Sequence, residues 1–320
     1  MDENNQFLLC NQLTKIYSKS KTKALNSVSF SIPSKGIFVL IGRNGSGKTT
    51  LVRILATELE PTSGSATING MDVMKNAGSL REKIAIVPQE ARSIPWMTPI
   101  QTAQSYLLWR GFAYHDAKSR AMESIERLGL SEYSHTLNRL LSGGMRRKVL
   151  VATVLSSEAE IIFLDEPTTG LDPISRKDLW GTLKEIGKDR FLFLTTHYLE
   201  EAEQLADEIG ILDHGRLIRI GTLEQLRQGV DYNYSLTILS GISVQALPKV
   251  ERGELVTGRD GFVRILTVEE EAFRISRELS KSGFKFTINP ISLDDIFFYL
   301  VSREGGKASD AQKRLTAEEE

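Results

Sequence analysis

A glycine-rich stretch near the N-terminal end has the residue types and the spacing needed to bind a phosphate chain. This stretch, GRNGSGKTT at residues 42–50, follows the apolar run GIFVLI and precedes a helical pattern. Gly45 and Gly47 let backbone N–H groups turn toward a phosphate at the positive end of a helix dipole. Lys48 adds a positive charge for the terminal phosphates, and the Thr49 hydroxyl can bind Mg²⁺. The spacing predicts a nucleotide site made of Gly42, Arg43, Asn44, Gly45, Ser46, Gly47, Lys48, Thr49 and Thr50.

Two carboxylates follow another apolar run, in the stretch IIFLDEP at residues 161–167. Ligands of open α/β sheets lie beyond the C-terminal ends of the strands, so Asp165 and Glu166 are expected beside the phosphate site. Asp165 is suited to holding Mg²⁺, and Glu166 is suited to polarising the attacking water as a general base. His197 follows the run FLFL and is suited to bridge phosphate and carboxylate. Considered alone, this histidine could equally cap a helix or lie on the surface.

The overall composition indicates a globular protein and argues against nucleic acid as the main partner. Of 320 residues, 41% are hydrophobic and 25% are charged, and the net charge is -1. A chain that binds nucleic acid usually has a clear basic excess. The single cysteine, Cys10, excludes an internal disulfide. The polar N-terminus has no secretory signal and the apolar runs are strand-sized, so the chain is not expected to cross a bilayer.

Strands and helices that could position these side chains alternate through the first two thirds of the chain. The runs VSFSI, GIFVLIG, KIAIVPQ, EIIFLDEP, RFLFLTT and EIGILD are short, apolar and bounded by turn residues. They predict the strands of a largely parallel sheet that is covered by helices on both faces. Between Ala91 and Leu155 helical spacing replaces this pattern, which predicts an inserted helical subdomain.

The pattern changes again after Gly229, to the order β-α-β-β-α-β-α. This order resembles a small ferredoxin-like α+β domain with one extra helix. The predicted elements are the strand Tyr234–Leu239, the helix Ser243–Val250, the strands Glu254–Thr257 and Phe262–Val268, the helix Glu270–Lys281, the strand Phe284–Asn289 and the helix Leu293–Ser302. The final residues are polar and charged, so burial cannot offset their ordering entropy. We therefore predict domains at residues 1–229 and 230–302, followed by a disordered tail at 303–320.

Six short motifs follow one another between residues 42 and 197. They are GRNGSGKT at 42–49, PQ at 88–89, LSGGM at 141–145, IIFLDEP at 161–167, GLDP at 170–173 and TTH at 195–197. They resemble, in the same order, the Walker A, Q-loop, signature, Walker B, D-loop and H-loop motifs of ABC ATPases, and the likeness extends from about Leu8 to Leu226. PTSGSATINGMDV, THYLEEAEQLAD and PISLDDIFFYLV further resemble the ATPase subunits of ABC-2-type exporters, the group of the daunorubicin and sodium efflux ATPases. The resemblance implies a P-loop NTPase (RecA-like) ABC ATPase core that binds and hydrolyses ATP with Mg²⁺.

The resemblance also implies a role for each motif residue. Catalysis would fall to Glu166, His197, Lys48 and Gln89, and the Mg²⁺ ligands would be Thr49, Gln89 and Asp165. Gln89 would couple the helical subdomain to the core, although a plain strand-end glutamine is the alternative. Tyr17 would stack on adenine, unless it is only a half-buried aromatic of an edge strand. Asp172 would contact the opposite active site of a dimer, and it is also suited to cap the helix Pro173–Ile186.

The signature motif is a second anion site at a helix N-terminus, which one molecule does not need. By the resemblance, Leu141, Ser142, Gly143, Gly144 and Met145 would bind the ATP that is held by another subunit. A homodimer, or a pseudo-dimer with a close relative, is therefore expected. Transmembrane permease subunits would hold this pair at the cytoplasmic face of the cell membrane. The three basic residues Arg146, Arg147 and Lys148 are expected on a solvated helix face without a catalytic role.

Two other functions and one surface are left open by the sequence. The chain could be an ABC ATPase that acts outside transport, in translation, DNA repair or iron–sulfur assembly. It could also be a regulatory subunit that binds ATP without hydrolysing it, although Glu166 and His197 argue against this. The aromatic segment Ala91–Phe112 would face the membrane partner by the resemblance, or else Trp96, Tyr106 and Trp109 would mostly pack inside the helical subdomain.

Overall fold

A computed structural model describes residues 7–18, 22–32, 36–239, 247–257 and 262–303 of the chain. The chain divides into two compact units, Met1–Ile220 and Gly221–Glu320. The division falls just before a short helix, close to the boundary that the sequence predicts after Gly229. Most of the predicted disordered tail, residues 304–320, lies outside the described residues.

The described parts of the chain contain fourteen strands, ten α-helices and two short 3₁₀ helices at Ser131–Tyr133 and Asn138–Leu140. The strands are β1 (Leu8–Ile16), β2 (Lys23–Ile32), β3 (Ile37–Ile41), β4 (Ser63–Ile68), β5 (Met71–Asp72), β6 (Ile84–Val87), β7 (Ile161–Asp165), β8 (Phe191–Thr196), β9 (Glu208–Asp213), β10 (Arg216–Gly221), β11 (Tyr234–Ile238), β12 (Gly253–Thr257), β13 (Val263–Thr267) and β14 (Phe286–Pro290). The helices are α1 (Lys48–Leu55), α2 (Ala77–Lys83), α3 (Pro99–Trp109), α4 (Tyr114–Arg127), α5 (Gly143–Leu155), α6 (Pro173–Gly187), α7 (Leu199–Leu205), α8 (Leu223–Gln228), α9 (Glu269–Lys281) and α10 (residues 293–303).

A six-stranded sheet in the order β10-β9-β3-β8-β7-β6 forms the centre of the first unit. The pairs β9–β3, β3–β8, β8–β7 and β7–β6 are parallel. Every residue of β3, β7 and β8 is buried, as expected for strands covered on both faces. The Phe193 ring packs between Phe38 (4.9 Å) and Phe163 (5.6 Å) and joins these three strands. The largely parallel sheet is confirmed with the predicted strands GIFVLIG, KIAIVPQ, EIIFLDEP, RFLFLTT and EIGILD. The placement of VSFSI in this sheet is wrong, because these residues belong to β2 and pair antiparallel with β1 in a separate sheet.

The C-terminal ends of these parallel strands meet at one edge of the sheet and place the motif loops side by side. β3 leads into the glycine-rich loop and α1, and β6 ends two residues before Gln89. β7 and β8 end directly before Glu166 and His197. A second sheet, in the order β2-β1-β4-β5, is antiparallel, and its β1 ends next to Tyr17. The fold thus brings four distant sequence segments to one edge.

Helices α3, α4 and α5 form the insertion that the sequence predicts between β6 and β7. Thr98 closes a capping box with Gln101 at the start of α3, and Pro99 follows at the first helical position. Asn138 is fully buried and donates to Ile94 O and Thr102 Oγ1, both at 2.9 Å, which fixes the chain before α5. None of the helices in the described ranges is long and apolar enough to span a membrane.

The second unit contains an antiparallel sheet in the order β12-β13-β11-β14. This order is compatible with the ferredoxin-like arrangement that the sequence predicts, and α9 joins β13 to β14 as expected. Leu236 and Ile265 of the sheet pack with Ile275 and Leu279 of α9 in a separate small core. The helix predicted at Ser243–Val250 lies partly outside the described residues, and its described part, residues 247–250, is not helical.

Candidate nucleotide site

The glycine-rich loop can adopt its shape because two of its residues have positive φ angles. Gly45 has φ +79°, and Gly47, the N-cap of α1, has φ +107°. A Cβ on Gly47 would lie 2.3 Å from Ala24 O, so a larger residue cannot take this position. The backbone N–H groups at the start of α1 are free of intrahelical partners. The loop is therefore built to offer these donors to an anion.

Lys48 folds back over this loop. Its Nζ donates to Gly42 O (2.8 Å) and Arg43 O (3.1 Å), and it lies 3.8 Å from Glu166 Oε1. Burial lowers the pKa of Lys48, whereas the charges of Glu166 and Asp165 act in the opposite direction. The predicted cation thus lies between the loop and the predicted general base.

A cavity of about 200 Å³ joins the loop to the predicted catalytic residues. Its lining contains most of the predicted nucleotide-binding residues together with Ala24, and the full set is Ala24, Asn44, Gly45, Gly47, Lys48, Thr49, Thr50, Gln89 and Glu166. A second cavity, of about 380 Å³, lies beside this phosphate cavity, between Gln89 and the start of α5. The smaller cavity has the residues that the phosphate chemistry requires.

Glu166 has a strained backbone and is the meeting point of the polar side chains. Its φ of +51° is unusual for a residue with a side chain, and such strain costs about 1–3 kcal/mol. Its Oε2 accepts from Gln89 Nε2 (3.1 Å) and Thr169 Oγ1 (3.2 Å), and lies 3.3 Å from His197 Nδ1. The structure therefore brings together Lys48, Gln89, Glu166 and His197, as the sequence predicts.

The three residues that the sequence predicts as oxygen ligands of Mg²⁺ lie close to Glu166. Thr49 Oγ1 is 3.5 Å from Gln89 Oε1, and Asp165 is buried at the end of β7. No cluster of three or more His, Cys, Asp or Glu side chains that could hold a metal occurs in the described part of the chain. Mg²⁺ accepts a hydroxyl, an amide oxygen and a carboxylate when phosphate and water complete its octahedron. These residues fit the ion as a complex with nucleotide.

Thr195 is a site residue that the sequence reasoning missed. Its fully buried hydroxyl donates to Asp165 Oδ1 and accepts from the Glu166 N–H (3.1 Å), so one side chain fixes the Asp165 carboxylate and the Glu166 backbone. The signal was available in the motif TTH, because a polar residue at the end of a buried strand needs a partner.

Thr195→Val is expected to destabilise the protein by about 1–3 kcal/mol, because it leaves the buried Asp165 Oδ1 without the Thr195 hydroxyl. The Glu166 N–H still donates to Thr195 O (3.1 Å) in this variant. The substitution should also slow ATP hydrolysis, which thermal unfolding and a phosphate-release assay would measure together. The matched control is Thr153→Val, because the buried Thr153 hydroxyl donates only to Val149 O (2.8 Å) within α5. An equal effect of both variants would contradict this role for Thr195.

Tyr17 lies at the border of the phosphate site, on the segment that follows β1. Its hydroxyl is 3.3 Å from Thr50 Oγ1, and 37% of the residue is exposed. The ring is therefore accessible beside the first turn of α1. Its stacking on adenine remains a prediction.

The signature motif is at the start of α5, and its side chains lie outside the lining of the phosphate cavity. Ser142 is the N-cap, and its Oγ accepts from Met145 N at 3.1 Å. Ser142 and Gly143 are exposed, whereas Leu141 is buried and Gly144 lies against Leu171 of the GLDP motif. Gly143 lines the neighbouring cavity instead, so the start of α5 is separate from the phosphate cavity.

Asp172 caps α6, as one of its two predicted roles requires. Its Oδ1 accepts from Ile174 N (3.0 Å) and Ser175 N (2.9 Å), and Pro173 occupies the first helical position. The Ser175 hydrogen bonds are the main reason why the pKa of Asp172 is lowered. Its role across a dimer interface remains a prediction.

The prediction that the three basic residues after the signature form a solvated face is wrong. Arg147 and Lys148 are buried, and Arg146 is half-buried and donates to Leu141 O (2.6 Å). The reason is that α5 packs against the loops that follow β6 and β7, where backbone carbonyls point toward Arg147. Lys148 lies 3.9 Å from Asp178 of α6.

The tryptophans of the aromatic segment do not pack inside the helical subdomain. Trp96 is 73% exposed and Trp109 is 82% exposed, whereas Tyr106 is half-buried and contacts Arg110. Of the two interpretations left open by the sequence, internal packing is therefore wrong for both tryptophans.

Comparison with known proteins decides the family. The family model described as "ABC transporter" matches residues 25–169. The chain is 32% identical over 320 residues to the daunorubicin/doxorubicin resistance ATP-binding protein DrrA of Streptomyces peucetius, which covers 96% of this chain and 95% of that protein. The chain belongs to the ABC transporter ATP-binding family. As an ABC ATPase it binds and hydrolyses ATP with Mg²⁺, and the resemblance drawn from the six motifs is confirmed.

Other relatives of this ABC ATPase are consistent with this assignment. It is 35% identical to the linearmycin resistance ATP-binding protein LnrL of Bacillus subtilis (strain 168), over 74% of this chain and 76% of that protein. A solved ATP-binding subunit of an ABC transporter superposes with a TM-score of 0.62 at 26% identity, over 70% of this chain and 92% of that one. A dimeric ATP-binding cassette bound to ADP and Pi has a TM-score of 0.62 at 24% identity, over 68% of this chain and 98% of that one, and shows the fold alone.

Proposed function

We propose that this ABC ATPase is one of two motor subunits that close around two ATP molecules and drive a membrane exporter. The observation that carries the proposal is the exposed signature at the N-terminus of α5, outside the lining of the phosphate cavity. A helix N-terminus with free N–H groups and a positive dipole end suits a phosphate. An isologous pairing, in which each subunit supplies one loop and one signature, uses both anion sites of both chains.

Within each site we assign the chemistry to residues that converge on Glu166. Lys48 and the loop N–H groups bind the phosphates. Thr49, Gln89 and Asp165 would hold Mg²⁺, which would neutralise charge on the phosphate oxygens. Glu166 accepts a proton from the attacking water. At the same time the water oxygen bonds to the γ-phosphorus, and the bond between this phosphorus and the leaving ADP oxygen breaks. His197 and Gln89 orient the Glu166 carboxylate through Oε2, where their nitrogens lie 3.3 Å and 3.1 Å away.

Closure and reopening follow from the contacts that each state can make. The closed pair is favoured only while γ-phosphate contacts Lys48 of one subunit and the signature N–H groups of the other. Hydrolysis removes this differential contact, so the pair reopens. We assign Asp172 to the same interface, because it is exposed and the neighbouring Leu171 lies against Gly144 of the signature.

Gly143→Asp is expected to lower ATP hydrolysis at least about tenfold, because it sets a negative charge against the phosphate of the partner's ATP. A Cβ at Gly143 has no atom within 4 Å, so the substitution fits a single chain. An acidic residue at a helix N-terminus is also favourable for the helix itself. ATP binding to the isolated subunit and the melting temperature should therefore be unchanged.

Gly181→Asp is the matched control for this variant, because Gly181 is an exposed glycine of α6 with equally open space around it. Steady-state phosphate release and binding of a fluorescent ATP analogue separate hydrolysis from affinity. Full activity of Gly143→Asp would show that the signature does not face a second ATP.

The relatives support an exporter as the context of this motor. Two of them have names that refer to resistance, to daunorubicin and doxorubicin in one case and to linearmycin in the other. We assign this chain to the cytoplasmic face of the cell membrane, bound there through permease subunits. The exposed Trp96 and Trp109 supply an apolar surface for such a partner, since large exposed aromatics are typical of protein contacts.

A further inference from the structure

Arg147 of α5 has a buried guanidinium whose hydrogen bonds in the described part of the chain all go to backbone carbonyls. Only 7% of the residue is exposed. Nη1 donates to Pro88 O (3.1 Å) and Gln89 O (3.4 Å), Nη2 to Asp165 O (2.5 Å) and Glu166 O (3.1 Å), and Nε to Pro167 O (3.4 Å). Burying a cation costs free energy unless hydrogen-bond acceptors compensate for the lost water. The guanidinium of Arg147 can therefore be buried here only because these carbonyls accept its N–H groups.

These carbonyls belong to two loops that end neighbouring strands of the sheet. One loop follows β6 and contains Gln89, and the other follows β7 and contains Asp165 and Glu166. The side chains of Gln89 and Glu166 meet at 3.1 Å, on the nucleotide side of the same loops. Arg147 therefore fixes the backbone behind the two side chains that face the reacting phosphate.

The geometry explains why an arginine occupies this position. A guanidinium is planar and has five N–H donors in a fixed fork, so one side chain can span two loops. An ammonium group has three donors on one atom and reaches only one cluster of acceptors. Arg147 also lies one turn after the signature, so the same side chain ties the start of α5 to both loops.

We propose that Arg147 is a positioning residue that aligns Gln89 with Glu166 and couples this alignment to the signature helix. This inference rests on the proposed function, in which the signature contacts the second ATP. A shift of α5 when that ATP binds would move both loops together, because their carbonyls share one guanidinium. A misplacement of about 1 Å in such a constellation can cost 10²-fold in rate.

The test is Arg147→Met, which keeps the length of the side chain and removes every donor. We expect kcat for ATP hydrolysis to fall about tenfold, with KM for ATP changed by less than about twofold. Arg147→Lys should recover only part of kcat. Unchanged kcat in Arg147→Met, or a rise in KM that accounts for the whole loss, would overturn the proposal.

Arg190→Met is the control for a merely structural role. Arg190 donates to Leu155 O (3.2 Å) and Ser157 O (2.8 Å) away from the phosphate cavity, and burial lowers its pKa as it does for Arg147. This variant should lose thermal stability but keep kcat per folded enzyme. An equal loss of kcat in Arg190→Met would show that Arg147→Met lowers kcat only by destabilising the protein.

A double-mutant cycle decides the matter if Arg147→Met folds poorly. Arg147→Lys combined with Gln89→Ala should lose less activity than the product of the two single losses, because Arg147 acts in part by aligning Gln89. Additive losses would contradict the proposal. Failure of the wild-type protein itself to hydrolyse ATP, or full activity of Gly143→Asp, would count against the proposed function instead.

Discussion

Glu166→Gln is expected to lower ATP hydrolysis by about 10²–10⁴-fold, which is the usual contribution of a positioned general base. A glutamine amide cannot accept the proton of the attacking water. It keeps the size of the side chain and can still meet Gln89 and Thr169, which both contact Oε2. ATP should therefore remain bound. A phosphate-release assay measures the rate of hydrolysis, and an ATP-binding titration measures the affinity separately.

The control for this variant is Glu185→Gln, because the side chain of Glu185 is 76% exposed on α6 and contacts only Lys188. Its hydrolysis should equal that of the wild type. Near-normal hydrolysis by Glu166→Gln would show that Glu166 is not the general base. A loss of ATP binding would show that Glu166 contributes to ATP binding instead.

Lys48→Ala is expected to weaken ATP binding by about 10- to 10²-fold, since each hydrogen bond to a charged group contributes about 1.5–3 kcal/mol. Lys48 lies 3.8 Å from Glu166 and within hydrogen-bond distance of Gly42 O and Arg43 O. Its removal leaves the phosphates facing the Asp165 and Glu166 carboxylates without a balancing cation. Titration with a fluorescent ATP analogue measures the loss.

Lys188→Ala provides the control for charge alone, because the side chain of Lys188 is 70% exposed on the surface. Its affinity for ATP should match that of the wild type. Wild-type affinity in Lys48→Ala would mean that the glycine-rich loop binds its ligand without this cation, contrary to the assigned role.

The sequence was sufficient to predict the parts of the fold that depend on local patterns. Buried strands such as IIFLD and FLFLTT are apolar throughout, so their type and parallel pairing could be inferred. The loop GRNGSGKT requires glycine at positive φ, which makes its shape readable from its composition. Because parallel strands end at one edge, the meeting of Lys48, Gln89, Glu166 and His197 followed from the order of the strands.

Features that depend on tertiary packing could not be predicted in this way. Arg147 is in a run of basic residues that resembles a solvated helix face. It is buried, and it donates to backbone carbonyls, only because two loops pack on α5. The exposure of Trp96, in the turn before α3, and of Trp109, the last residue of α3, could not be predicted either, because it depends on which surfaces pack around these two positions. The positive φ of Glu166 also has no signal in the sequence, because a residue with a side chain rarely adopts it.

The molar mass of Glu166→Gln with saturating ATP tests the shared-ATP interface most directly. Light scattering after gel filtration measures this mass independently of shape, and the double variant Glu166→Gln/Gly143→Asp shows whether the signature is required. We expect twice the 35.7 kDa of one chain for Glu166→Gln with ATP, and 35.7 kDa without nucleotide or with the added Gly143→Asp change. A mass of 35.7 kDa for Glu166→Gln at saturating ATP would contradict the account.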